Sequence, residues 1–260
     1  MKNIIIFCLS ALTFIVFSTK VTKAEGLSTS LNTTNYIGFI NKKLNVVLSL
    51  TQSGNKLSGY YYYDKIGVNI KLTGEVIGES IKLTEINEQG KNVAKFSLTP
   101  KGENLIGTWQ SFNSNQVLVV QLQQTEKQIP QLPTQILGDY NYKNESGCKI
   151  TISITKSNKG YHFYYQTAKR QLKGSVTFSR DLGTEQVYIN LHGIEWAEDS
   201  GDVTKDDDIN EDRALPTVVQ GLLDSKEIVI QNTGNAMNYY VKLNDCDEKF
   251  IHLKKWKKPN

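Results

Sequence analysis

Histidine, methionine, cysteine and proline are all scarce in this chain, with three, two, three and five residues in 260. Three histidines leave few candidates for general-base work. The patterns G-x-S-x-G, H-E-x-x-H, G-x-x-x-x-G-K-[ST] and G-x-G-x-x-G are absent, which removes the usual signs of a nucleophile elbow, a zincin helix, a phosphate loop and a dinucleotide fold. His192 and Glu195 have an H-x-x-E spacing that would suit a metal on a helix. They follow the alternating run Val187-Ile189-Leu191, however, where residues three apart point to opposite faces. His162, between aromatics, and His252, between Ile251 and Leu253, read as ordinary strand residues. Glu195 and Glu198 have the chemistry of a glycosidase pair, but sequence does not fix the carboxylate separation that such a pair needs. The expectation is no catalytic residue, no metal and no cofactor.

The first residues carry the three parts of a secretory signal: Lys2, an apolar run from Ile4 to about Phe17, and a cleavage region Thr22-Lys23-Ala24. The run is shorter than the roughly 20 residues that span a bilayer, so residues 1–24 read as a removed leader and the remainder as an exported chain without a transmembrane segment. Cys8, preceded by Ile5-Ile6-Phe7, lacks the small residues of a lipid-attachment site. Removing Lys2, Lys20 and Lys23 reduces 30 Lys+Arg to 27 against 26 Asp+Glu. A near-neutral protein whose one basic cluster is its tail, Lys254, Lys255, Lys257 and Lys258, lacks the concentrated basic face of a nucleic-acid binder. Cys148 and Cys246 are then the remaining pair, in a compartment where disulfides persist, and with no C-x-x-C they read as a structural staple. In the chain-entropy view, closing a loop of about 100 residues stabilises by roughly 4 to 5 kcal/mol.

What is abundant is β-forming residues in short alternating runs: Leu44-Val46-Leu48-Leu50, Ile81-Leu83, Phe96-Leu98, Ile150-Ile152-Ile154, Ile228-Ile230 and Ile251-Leu253, each bounded by Gly, Asn, Ser or Asp. The fold class is all-β, with two tandem antiparallel barrels or sandwiches. A Pro- and Gln-rich stretch at 124–134 reads as a linker between a first module at 25–123 and a second at 135–260. Three landmarks suggest duplication. Gly59 with Tyr60 to Tyr63 parallels Gly160 with Tyr161 to Tyr165, Leu72-Thr73-Gly74 parallels Leu172-Lys173-Gly174, and Val117 to Leu122 parallels Asn238 to Leu243. The disulfide is expected to join the first strand region of the second module to its penultimate strand. In the tyrosine run, Tyr60 and Tyr62 face one way and Tyr61 and Tyr63 the other, as sheet packing partners or an exposed aromatic stripe.

Tyr36-Ile37-Gly38, Leu57-Ser58-Gly59-Tyr60, Leu72-Thr73-Gly74, Leu83-Thr84-Glu85 and Gly107-Thr108-Trp109 together resemble a secreted bacterial calycin-like (lipocalin or avidin-like) module over residues 36–122. The resemblance implies a closed or nearly closed barrel and no particular substrate. In lipocalins a Gly-x-Trp stands near the first strand, whereas here it comes late.

The sharpest local feature is an insertion near 195–219 whose first half holds nine carboxylates in eighteen residues, Glu195, Glu198, Asp199, Asp202, Asp206, Asp207, Asp208, Glu211 and Asp212. A solvated loop accounts for it. So does an irregular calcium site, although Glu211 and Thr217 occupy positions where an EF-hand needs glycine and glutamate. A third reading is a recognition loop, in which Glu195, Trp196, Glu198, Asp199, Asp202 and Asp206 to Asp208 meet a cationic protein. The sequence therefore favours an exported, non-enzymatic binding protein, such as an inhibitor or immunity-like factor. A small-ligand carrier with a barrel lumen and an envelope or extracellular hydrolase are the alternatives.

Overall fold

The computed structural model describes residues 31–204 and 214–256. The leader residues, the carboxylates Asp206, Asp207, Asp208, Glu211 and Asp212, and the end of the basic tail lie outside the described residues. Among the described residues no helix is long and apolar enough to cross a membrane.

The first eight strands are β1 (Asn32–Ile40), β2 (Leu44–Ser53), β3 (Lys56–Tyr63), β4 (Ile70–Ile77), β5 (Ser80–Ile86), β6 (Asn92–Lys101), β7 (Asn104–Ser111) and β8 (Val117–Thr125). Each pairs antiparallel with the next, and β8 returns to β1 with Ile40 opposite Val120, so the sheet closes into a barrel. Alternation accounts for the interior: Val46, Leu48 and Leu50 on β2, Leu83 on β5, Phe96 and Leu98 on β6, and Val120 and Leu122 on β8 are all buried in one cluster. The glycines of the calycin-like motifs have a common reason. A Cβ on Gly38, Gly59, Gly74 or Gly107 would collide with a carbonyl oxygen of the neighbouring strand, so only glycine permits the close approach at these points.

The chain then continues as β9 (Gly138–Lys143), β10 (Lys149–Ser157), β11 (Gly160–Gln166), β12 (Gln171–Asp181), β13 (Gln186–His192), β14 (Glu198–Asp202), β15 (Val218–Leu223), β16 (Glu227–Gln231), β17 (Asn238–Val241) and β18 (Phe250–Lys255). Eight of these form a second closed barrel, in the order β9, β10, β11, β12, β13, β15, β16, β18 and back to β9. β14 and β17 pair with each other as a separate two-stranded ribbon outside the barrel, and Val241 of β17 also bridges to Thr233. Ile152, Phe163, Phe178, Ile189, Val219, Ile230 and Leu253 fill the interior.

The architecture is duplicated, but the landmarks that suggest it do not all superpose. Leu72 to Gly74 and Leu172 to Gly174 both lie on the fourth barrel strand. There Gly74 pairs with Leu57 while Gly174 pairs with Phe163, so the equivalents on the third strand are Leu57 and Phe163. Matching the tyrosine runs instead equates inward Tyr61 with His162, which faces the other way. The eighth strand of the second barrel is β18, and Asn238 to Leu243 belongs to the ribbon and the segment after it. The disulfide also differs from expectation. Cys148 immediately precedes the second strand, β10, and Cys246 lies between β17 and β18, with Cα atoms 5.7 Å apart.

The Pro- and Gln-rich connection is packed down. Ile129 and Pro130 are buried, and Ile129 covers the outward Val47 and Tyr62 of the first barrel together with Leu182 of the second. Gln131 Nε2 donates to the Tyr60 hydroxyl at 2.6 Å. The outward tyrosines are therefore covered by the chain itself.

Candidate functional site

The acidic insertion starts where β13 ends. Gly193, at φ 99°, turns the chain away from the barrel wall, and Ile194 is completely buried beneath the turn. The two legs of the insertion are then tied to each other: Gly193 N donates to Thr217 O and Trp196 N to Pro216 O. Trp196 fixes this base. Its indole donates to Val218 O at 2.7 Å, its ring is half-buried against the second core and 5.1 Å from that of Tyr240, and Lys242 Nζ lies 5.3 Å above it. Lys242 is itself buried, and burial draws its pKa below the usual ammonium value.

Beyond Trp196 the acidic strand β14 runs along β17, with a bulge between Asp199 and Gly201. Glu195 and Glu198 are exposed. Glu198 stands opposite Val241, and Tyr239, two residues before Val241, shares its face. Asp199 accepts from Gly201 N at 3.1 Å, and Asp202 accepts from Thr204 N at 3.1 Å and Thr204 Oγ1 at 2.6 Å, so these two carboxylates also shape the ribbon's own turns. The structure thus brings Glu195, Trp196, Glu198, Asp199 and Asp202 together on one appendage. Sequence reasoning missed its exposed apolar groups, Val203, Met237 and Tyr239. Two of them come from the β16 to β18 connection, which no local signal couples to the acidic stretch.

A second polar feature lies inside the first barrel. β5 sends Ile81, Leu83 and then Glu85 inward, so a carboxylate occupies a position that continues an apolar row. Glu85 Oε2 accepts from the Tyr61 hydroxyl at 2.8 Å and from Trp109 Nε1 at 3.1 Å. Tyr63 completes the group, its hydroxyl 3.5 Å from that of Tyr61 and its ring edge-on to Tyr61 at 5.5 Å. Burial, with Tyr63 and Glu85 adding to it, pushes the Tyr61 hydroxyl far above the usual phenol range, so Tyr61 stays a donor. The signal for this site was present in the sequence: Leu83-Thr84-Glu85 ends an alternating run with an acid in phase with its apolar members.

Comparison with known proteins finds no matching family model, no matching curated protein and no matching solved structure. The geometry therefore carries the functional reading alone.

Proposed function

We propose that this is an exported, non-enzymatic binding protein that meets a cationic partner protein through the insertion on its second barrel. One observation supports this reading above the others: the insertion and the β16 to β18 connection together present Glu198, Met237 and Tyr239 on a two-stranded ribbon whose base is tied to a filled barrel by Ile194 and Trp196. A rigid support carrying exposed apolar groups beside carboxylates provides both contact area and electrostatic steering. Export is supported by the leader-like residues 1–24 and by the Cys148–Cys246 disulfide, a bond that persists mainly outside reducing compartments. The carrier reading receives less support, since inward side chains from all strands of both barrels pack into buried clusters. For the first barrel we further propose kinship with calycins, on the strength of its closed eight-stranded meander and its motif glycines.

The test is capture from cell envelope and culture fluid, using the intact protein beside a variant carrying Glu195→Lys, Glu198→Lys and Tyr239→Ser. These positions are exposed, so the variant is expected to fold. A partner is expected to be retained by the intact protein, released as ionic strength rises, and lost by the variant. Equal recovery by both would remove the insertion from the contact.

A further inference from the structure

A closed barrel has no edge strand, so whatever associates with its sheet does so through a wall. The outward side chains of the first barrel divide by chemistry. On β4, β5 and β6 they include Lys71, Glu75, Lys82 and Lys95, as expected of a solvated wall. On the four adjacent strands β7, β8, β1 and β2 no outward position holds a charged residue. That wall instead presents Phe39, Val117 and Val119, which are 45%, 54% and 50% exposed.

Register sets its side chains in rows. Ile106, Gln121, Phe39 and Asn45 stand side by side across the four strands, and Asn104, Gln123, Ile37 and Val47 form the next row. The two rows line a groove of about 530 Å³, in which Asp64 is the one charged residue. The amide groups of Asn45, Asn104, Gln121 and Gln123 make no hydrogen bond among the described residues, so their donors and acceptors are open to a partner. At its β2 end the wall is already covered by the chain itself, with Ile129 over Val47. The remainder is bare.

Charge and area select the occupant. A contact about a two-fold axis sets a surface against its own copy, so a charge near the centre is brought close to its like. An uncharged wall avoids that repulsion, and an amide, being donor and acceptor at once, can bond to another amide. A partner recruited by charge would find nothing here to steer it. The bare part spans roughly 17 Å by 28 Å, on the order of 500 Å² in plan. With side-chain relief this reaches about 600 Å² per partner, the lower end for a specific interface.

We propose that the β7, β8, β1 and β2 wall is the contact face of a homodimer, in which a second copy of this chain covers Phe39, Val117 and Val119 and the open amides. The contact lies on the first barrel, and the insertion on the second takes no part in it, so either reading can fail without the other.

The experiment is sedimentation velocity on the chain without residues 1–24. A reversible monomer–dimer exchange is expected between about 1 and 100 μM, as suits an interface of this size. It is expected to persist from about 50 to 500 mM salt, because burial of apolar surface is not screened. Phe39→Lys and Val119→Glu place opposite charges on the wall without touching the barrel interior, and circular dichroism checks that each variant folds. Both are expected to weaken association by about tenfold or more, whereas Lys82→Glu on the charged wall leaves it unchanged. A monomer throughout the range would overturn the proposal and leave the groove to some other occupant. So would a dimer that salt dissolves, one that either wall variant strengthens or leaves intact, or one that Lys82→Glu disrupts.

Discussion

Asp245 is a carboxylate whose chemistry the fold constrains from several sides. Its side chain is 1% exposed, and it accepts from Tyr165 Oη at 2.7 Å, Thr167 Oγ1 at 2.9 Å, and Arg170 Nε and a terminal guanidinium nitrogen at 3.1 and 2.7 Å. Burial alone would raise its pKa. The hydrogen bonds from Arg170, Tyr165 and Thr167, with the Arg170 charge, outweigh burial and hold it below the ordinary aspartate value. A depressed folded-state pKa means that the charged form contributes stability above the unfolded-state value, about 3.9, and that the contribution disappears as pH falls through the folded value. Asp245→Asn is therefore expected to cost about 3 kcal/mol at neutral pH, with the gap to the parent protein closing below about pH 4. Denaturant unfolding across that range checks the sign. A gap that stays constant down to strong acid would mean that Asp245 contributes through shape and not through charge.

Elements gain their roles through what anchors them, and the segment between β17 and β18 shows this. Leu243 and Cys246 are buried in the second core, and three ties hold them there. Asn232 donates through Nδ2 to Leu243 O, Cys246 O and Glu248 O, and accepts from Leu243 N at 2.7 Å. Asp245 supplies the second tie, and the Cys148–Cys246 bond the third. Cys148→Ser removes the covalent tie and frees a loop of about 100 residues in the unfolded chain, so a loss of roughly 4 kcal/mol and about 10 °C in Tm is expected. Hydrogen exchange should quicken first at Lys242 and Leu243, whose amides bond to Asn232, while the amides of β2 and β6 stay protected. Simultaneous loss of protection in both barrels would show that the segment is not a separate anchor. This is also where the sequence stops being informative. Period two in Ile150-Ile152-Ile154 reveals a strand and its buried face, because that pattern is local. It carries no record of neighbours. Asn238 to Val241 alternates like a wall strand yet pairs with β14 outside the barrel, and Gly59 and Gly160 look alike although the tyrosines after them face opposite ways. The role of Tyr239 needed the same missing information, namely which distant residue lies opposite, whereas Glu85 stands in phase with its own apolar run.

At the scale of the whole molecule, a buried cation is central to the junction between the two barrels. Arg180, on β12, reaches across to the first barrel and the connection: it donates to Gly67 O and Asn69 Oδ1 at 2.6 Å and to Pro130 O at 3.0 Å, and its guanidinium lies 4.0 Å from the centre of the Tyr62 ring. The backbone adds to this, Phe178 N donating to Ile66 O, and Gly67 must be glycine, because at φ 69° any Cβ would collide with Phe178 O. The arrangement costs stability. Arg180 Nε and Tyr62 Oη are sealed without hydrogen-bond partners, and each such group costs about 1 to 3 kcal/mol. Against that cost, the guanidinium satisfies three acceptors from two segments at once and so ties β12 to both. Two variants separate these roles. Tyr62→Phe keeps the ring under the guanidinium and deletes the unsatisfied hydroxyl, so it is expected to leave stability unchanged or raise it by about 1 kcal/mol, with the junction intact. Arg180→Met fills similar space but leaves the carbonyls of Gly67 and Pro130 without a donor. It is expected to loosen the connection, so that trypsin cuts after the exposed Lys127 faster by on the order of tenfold, while each barrel keeps its own slow-exchanging core. Cleavage at the parental rate in Arg180→Met would show that Ile129 and the Phe178 to Ile66 backbone bond hold the barrels without it.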